Sequence, residues 1–348
     1  MKIVIDDKIP YIRETICRLA DETVFLGGST ITADDVRDAD VLVVRTRTHC
    51  NRQLLEGSKV QLVVTATIGY DHIDIQWLEH AGIRWTNCPG CNSGSVAQYV
   101  ECALLLLEQQ KGLDLQHTTI GIVGCGHVGS KVKAVAERLG MQVLVCDPLL
   151  TNPSFVSLDV IEHESDIITF HVPLTREGRY ATWHMADEGF FHRLSRVPYI
   201  INTSRGEVVD NQALLAALKE GRVRDAVIDV WENEPHPNAE LLDRVFIGTP
   251  HIAGYSADGK TNADNMVIDA ICQQFGLENP GLIVPPALDY RVDSSTNRNV
   301  VLTSSDPLAL YNPMDDSKKL KADASQFEQL RNNYPLRREK TDQKVAQL

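Results

Sequence analysis

The sequence has no long hydrophobic run. No uninterrupted apolar stretch is longer than Cys102 to Leu107, which falls far short of the about 20 residues that cross a bilayer as a helix. The first residues, Met1-Lys2-Ile3-Val4-Ile5-Asp6-Asp7-Lys8, put charges where a signal peptide needs an apolar core, so a cytoplasmic protein is expected. Positive charge is also short. With 34 Lys and Arg against 47 Asp and Glu, the net charge is −13, which argues against nucleic acid or an anionic membrane as partner. Residues 281–348 hold 10 basic and 9 acidic side chains, so the acidic excess lies in residues 1–280. An anionic substrate must be met there by a local group of arginines. Cysteine is sparse and scattered: of eight, only Cys88 and Cys91 are spaced as C-x-x-C. There is no second pair to complete a zinc site, and Pro89-Gly90 between them reads as a tight turn, so neither disulfides nor a metal centre are expected. Internal repeats and low-complexity tracts are missing too.

What is present is an α/β alternation. At 348 residues and 43% hydrophobic, the chain is too long for one ordinary core and has the balance of a globular protein of two or three domains. Lys2–Asp6, Val41–Arg45 and Leu62–Thr65 read as buried parallel strands, with helices over Tyr11–Ala20 and Asp74–Ala81. The loops Arg45–Thr48 and Ala66–Asp71 follow strand ends, where open α/β sheets bind ligands. Ser93–Gln109 reads as a long helix bridging two domains. Further strands are expected at Thr119–Val123, Val143–Asp147, Ile167–Val172, Tyr199–Asn202, Val227–Val230 and Val245–Gly248, with a helix at Asn211–Glu220 and a returning helix over Gly254–Gly276. Pro280, Pro285 and Pro286 then mark a boundary. Beyond it, residues 287–348 read as a mixed segment with helices over Ser317–Ala324 and Ser325–Asn333 and little core of its own. The expected fold class is α/β: two doubly wound parallel-sheet domains, one Rossmann-like and one flavodoxin-like, plus a small α+β C-terminal segment.

The run Gly124-Cys125-Gly126-His127-Val128-Gly129 gains weight from its setting. A strand precedes it, a helix follows, and Asp147 ends the next strand 18 residues after Gly129. In such a fingerprint the first glycine makes the turn, the second lets a pyrophosphate approach the helix N-terminus, and the third lets helix and strand pack closely. Asp147 can accept from both ribose hydroxyls and repels a 2′-phosphate, so the cofactor expected is NAD.

Three polar residues then follow successive strand ends: Arg205 in Asn202-Thr203-Ser204-Arg205-Gly206, Glu234 in Asp229-Val230-Trp231-Glu232-Asn233-Glu234-Pro235, and His251 in Thr249-Pro250-His251-Ile252-Ala253-Gly254. A guanidinium can grip a carboxylate at two points, an imidazole can take a hydroxyl proton near neutral pH, and a carboxylate beside it favours the resulting imidazolium. Each alone is more often a solvated charge, a turn or a cap. In order behind a nucleotide fold, they point to oxidation of a 2-hydroxy acid.

Over residues 1–280 these motifs resemble the D-isomer-specific 2-hydroxyacid dehydrogenases. The segments Thr65–His72, Asn87–Asn92, Thr118–Gly124, Cys146–Pro148 and His251–Tyr255 resemble a branch of that family acting on a phosphorylated 2-hydroxy acid, and Phe327–Glu339 resembles the end of its C-terminal dimerisation domain. The resemblance implies catalytic Arg205 and Glu234, proton transfer by His251, substrate contacts from Thr46, Thr67 and Tyr255, and cofactor contacts from Gly124, Gly126, Gly129, Asp147, Thr175, Asp229 and Gly254. It implies a substrate-binding lid domain over 1–94 and 255–280, an NAD-binding domain over 95–254, and dimerisation through 281–348. Thr46 stands where the family usually has Ser, which keeps a hydroxyl, and the C-terminal domain is short. For a substrate phosphate, Arg45 and Arg47 are candidates ahead of Lys260. The basic pairs Lys318-Lys319 and Arg337-Arg338, interleaved with acids, read as a solvated or subunit-facing surface. Two other readings share the motifs: a dehydrogenase for glycerate or 3-phosphoglycerate, and an NAD-sensing corepressor-like interaction protein.

Overall fold

The computed structural model describes residues 1–286, 291–293, 298–300 and 307–339, and the chain forms two compact units, Met1–Asn92 with Ser256–Leu288 and Ser93–Tyr255 with Asp289–Leu348.

The first unit is built on a parallel sheet of β1 (Lys2–Asp6), β2 (Glu22–Leu26), β3 (Val41–Val44), β4 (Leu62–Thr65) and β5 (Arg84–Thr86), in the order β2-β1-β3-β4-β5. Strands β1, β3 and β4 are β-branched and apolar at nearly every position because both faces are covered. Ile3, Ile5, Val41, Val43, Leu62 and Val64 face Val267, Ile268 and Ile271 of the helix Ala257–Phe275. Their alternates Val4, Leu42, Val44 and Val63 face Val36, Leu54, Leu55 and Leu78. That helix starts where the Ser256 hydroxyl accepts the Gly259 N–H at 2.8 Å, and it stops at Gly276, whose φ of 64° suits glycine. The helix expected over Tyr11–Ala20 is a single turn, Arg13–Ile16. The N–H groups of Arg18 and Leu19 reach the carbonyls only three residues back, and the turn winds tight instead of propagating.

The second unit carries β6 (Thr119–Val123), β7 (Gln142–Cys146), β8 (Ile167–Phe170), β9 (Tyr199–Asn202), β10 (Asp225–Ile228) and β11 (Ile247–Gly248), all parallel, in the order β11-β10-β9-β8-β6-β7. Its register puts Cys146, Val123, Phe170, Asn202, Ile228 and Gly248 in one row across the sheet. Everything just past that row, including Gly124, Asp147, Arg205, Asp229 and His251, therefore belongs to one edge. The chain switches sides between β7 and β8, so the loop after β6 opens at the switch point where doubly wound sheets bind ligands. The helix Ser93–Lys111 is buried from Ser93 to Leu107 except at Gly94 and Leu105, which explains its nearly all-round apolar sequence.

The described part of the C-terminal segment holds an antiparallel pair, β12 (Arg291–Asp293) with β13 (Arg298–Val300), and helices Pro307–Leu310, Pro313–Ala322 and Phe327–Asn332. The rest of the expected mixed segment lies outside the described residues. Its helices pack within the second unit: Leu320 and Phe327 are buried with Phe190 and Leu242, and Tyr311 with Tyr99. No helix among the described residues is long and apolar enough to cross a membrane.

Candidate active site

The glycine loop fits a dinucleotide by what its side chains could not do. Gly124 has φ 90°, and a Cβ there would sit 2.8 Å from the His171 carbonyl oxygen; a Cβ on Gly129 would sit 1.9 Å from that of Gly124. Gly126 is different. It is exposed, caps the helix His127–Arg138 without a side chain, and has open space where a Cβ would be, leaving the helix N-terminus clear for a phosphate. Asp147, at the end of β7, takes the Cys125 N–H at 2.8 Å on one oxygen and the Leu149 N–H at 3.1 Å on the other. It thereby braces the loop, and its remaining lone pairs suit ribose hydroxyls. Exposed Thr175 lies in a loop closed by mutual bonds with Thr182.

Past β10 and β11 the chain forms a histidine–carboxylate pair. His251 Nδ1 is 2.8 Å from Oε2 and 3.1 Å from Oε1 of Glu234, and among the described residues none hydrogen-bonds to Nε2. Glu234 also accepts the Trp231 N–H at 3.0 Å and lies 3.5 Å from Arg331 Nη1. Burial pushes its pKa up, but His251, Arg331 and the Trp231 N–H outweigh that and hold it below the ordinary value. His251 has φ 57°, a left-handed conformation that costs a non-glycine residue about 1 kcal/mol or more. Asp229 explains how it is kept. Buried at 1% exposure, it accepts the N–H groups of Ile252 (2.8 Å) and Ala253 (2.9 Å) and the Thr249 hydroxyl (2.6 Å), while its carbonyl takes the His251 N–H at 2.8 Å. Burial raises the Asp229 pKa against the pull of His251 and these donors.

The opposite side of the same loop is held by a residue that the sequence reading put on the surface. Arg337 is buried, a correction with a clear cause: its guanidinium donates to the carbonyls of Ile252 (3.1 Å), Ala253 (2.6 Å), Tyr255 (2.9 Å) and Ser95 (3.3 Å), to the Ser95 hydroxyl and to Gln98 Oε1, and stacks on Tyr311. Five N–H groups of fixed geometry can satisfy such a carbonyl cluster where a lysine cannot. Lys318 and Lys319 are exposed.

Arg205 follows β9, and its Nη1 donates to the Ser204 carbonyl at 2.8 Å. A Cβ on Gly206 would sit 2.1 Å from the Trp231 carbonyl group, so glycine there lets the arginine loop lie against the loop that carries Glu234. Half-buried Gly254 precedes Tyr255, whose hydroxyl accepts from Arg331 Nε at 3.2 Å. The contacts thus join Glu234, His251 and Arg331 directly, with Arg205 on the adjacent strand end.

The remaining candidates belong to the first unit. Arg45 Nε is 3.2 Å from Asp6 Oδ2, a fully buried carboxylate at the β1/β3 switch point. Thr46 and Arg47 are exposed. Thr67 bonds Thr65 Oγ1 (2.6 Å) and the Gly69 carbonyl (2.8 Å), and Asn87 donates to the Ile68 carbonyl, so the loop after β4 is fixed from within. Lys260 lies on the helix Ala257–Phe275. Cys88 and Cys91 are buried; the Cys88 thiol faces the Ala263 carbonyl, and burial pushes its pKa up, away from reactivity.

Residues 105–253 match the family described as D-isomer specific 2-hydroxyacid dehydrogenase, NAD binding domain. Nearly the whole chain is related to curated members of it, and the chain belongs to the D-isomer-specific 2-hydroxyacid dehydrogenase family. Within that family it is 53% identical to the erythronate-4-phosphate dehydrogenase of Bacteroides thetaiotaomicron, over 97% of each chain. It is 42% identical to that of Porphyromonas gingivalis, over 97% of this chain and 94% of the relative. Among solved structures, the NAD-bound 3-phosphoglycerate dehydrogenase of Entamoeba histolytica aligns with a TM-score of 0.67 at 29% identity, covering 83% of this chain and 99% of the other.

Proposed function

We propose that this protein oxidises 4-phospho-D-erythronate to (R)-3-hydroxy-2-oxo-4-phosphobutanoate with NAD, a step of pyridoxal 5′-phosphate synthesis, and that it works in the cytoplasm as a homodimer. The observation that carries this is the His251–Glu234 pair, 2.8 Å apart, on the same sheet edge as a glycine loop shaped for a dinucleotide, in a chain so similar to erythronate-4-phosphate dehydrogenases.

NAD, when bound, supplies the hydride acceptor. The glycine loop and Asp147 hold it, with Thr175, Asp229 and Gly254 as further candidates. Arg205 grips the substrate carboxylate and the C2 oxygen. His251 takes the C2 hydroxyl proton on Nε2 as the C2–H bond breaks and its electron pair leaves as hydride. Glu234 fixes the ring through Nδ1 and stabilises the imidazolium so formed; in the reverse direction His251 returns the proton. Thr46, Thr67 and Tyr255 are the proposed substrate contacts, and Arg45 or Arg47 the phosphate ligand.

Purified protein with NAD is offered 4-phosphoerythronate, erythronate, glycerate and 3-phosphoglycerate in turn, following NADH absorbance. The highest kcat/KM is expected for 4-phosphoerythronate. A preference for either glycerate compound, or no turnover of any, refutes the assignment.

A further inference from the structure

Arg331 comes from the segment whose likeness suggested only subunit contact, yet its side chain ends in the catalytic loops. Nη1 lies 3.5 Å from Glu234 Oε2 and Nε donates to the Tyr255 hydroxyl at 3.2 Å. Glu234 accepts the Trp231 N–H on Oε1, faces the His251 ring nitrogen with both oxygens, and makes an ion pair with Arg331 through Oε2. Two hydrogen-bonded groups and one cation therefore meet the carboxylate, and both of its oxygens are engaged.

A guanidinium does not titrate in the working range of an enzyme. Its charge therefore adds to the pull on Glu234 whichever way the neighbouring imidazole is protonated. The helix that carries it, Phe327–Asn332, is anchored at both ends: Phe327 is buried in the core, and Arg337, five residues past the helix, is tied to the backbone of residues 252, 253 and 255. One stretch of chain thus grips the catalytic loop by its carbonyls and reaches its carboxylate partner with a cation.

We propose that Arg331 is a positioning residue for the Glu234–His251 pair, and that residues 327–338 form an arm completing the active site of their own chain. This rests on the proposed roles of His251 and Glu234. A merely solvated ion pair would change kcat by less than about threefold, whereas a cation that fixes a catalytic carboxylate changes it by about 10- to 100-fold.

The test compares wild type, Arg331→Ala and Arg331→Lys for kcat, substrate KM and NAD affinity, with and without millimolar guanidinium chloride, well below denaturing concentrations. Expected for Arg331→Ala are a kcat about 10- to 100-fold lower, a substrate KM within about threefold and unchanged NAD affinity. Guanidinium should restore much of that kcat, and Arg331→Lys should retain most of it. Unchanged kcat overturns the proposal, as does a rise in KM alone, which would make Arg331 a substrate ligand. If Arg331→Ala does not fold, Arg331→Lys decides, and a loss beyond about tenfold contradicts the role. Absence of wild-type turnover would refute the proposed function, whereas a fully active Arg331→Ala beside an active wild type would refute only this inference.

Discussion

Replacing Glu234 by glutamine probes the proposed proton-transfer pair with almost no change of shape. Three groups aim donors or positive charge at the carboxylate: the Trp231 N–H at 3.0 Å, the His251 Nδ1 at 2.8 and 3.1 Å, and the Arg331 guanidinium at 3.5 Å. Glutamine has one acceptor oxygen and a donor NH2, so in either flip the amide hydrogens must face a donor. Losing a charge-assisted bond costs about 1.5–3 kcal/mol, and the donor left facing a donor adds about 1–3 kcal/mol. If the variant suffers this mainly in the transition state, where His251 becomes cationic, kcat falls roughly 10²- to 10⁴-fold. NADH formation with saturating substrate gives kcat, and quenching of tryptophan fluorescence gives NAD affinity, which should persist because the glycine loop is untouched. A Glu234→Gln enzyme within threefold of wild-type kcat would refute the role assigned to the pair.

Three further substitutions probe the surroundings. Gly129→Ala places a methyl 1.9 Å from the Gly124 carbonyl oxygen, so the loop must move and NAD affinity should fall at least about tenfold; unchanged affinity by isothermal titration would contradict the reading of the loop. Arg337→Leu orphans the carbonyls of residues 252, 253 and 255 and should cost about 3–5 kcal/mol, lowering the thermal transition by about 10 °C in calorimetry; a shift below about 2 °C would refute the clamp. Asp264, whose Oδ2 has no partner among the described residues, is pushed up to about 8 by burial, against the pull of Lys260. The unfolded chain ionises this group near the ordinary value of 3.8, so between that pH and about 8 the folded unit keeps a proton the unfolded chain has lost, and stability falls as pH rises. Asp264→Asn should flatten that fall and add about 1 kcal/mol or more at pH 8; urea unfolding with an unaltered pH slope would contradict it.

The strands were legible where burial made the sequence monotonous. Lys2–Asp6, Leu62–Thr65, Thr119–Val123 and Tyr199–Asn202 stand as read, because a strand covered on both faces has to be a short apolar run. The edges were not: β2 begins on exposed Glu22 and β5 is three residues with exposed Arg84, so neither shows a buried pattern. The proposed catalytic pair could be named from its motifs because successive strand ends lie on one edge, a consequence of parallel topology rather than of the residues themselves. Arg331 and Arg337 escaped because their partners lie far away in sequence. The Arg337–Ser95 bond spans 242 residues, and a guanidinium that will be buried reads the same as one that will be solvated. Asp229, read as a cofactor contact through resemblance, has in the structure a visible second task in holding His251 at positive φ.

Direct hydride transfer from C2 of 4-phosphoerythronate, with His251 taking the hydroxyl proton, is the proposed step that isotope labelling tests most directly. Substrate deuterated at C2 is turned over in ordinary water and the reduced cofactor is weighed by mass spectrometry. One deuterium is expected in every NADH formed by the wild type, and kcat lower by orders of magnitude in His251→Ala with NAD binding intact. Unlabelled NADH, or undiminished turnover without the imidazole, would contradict it.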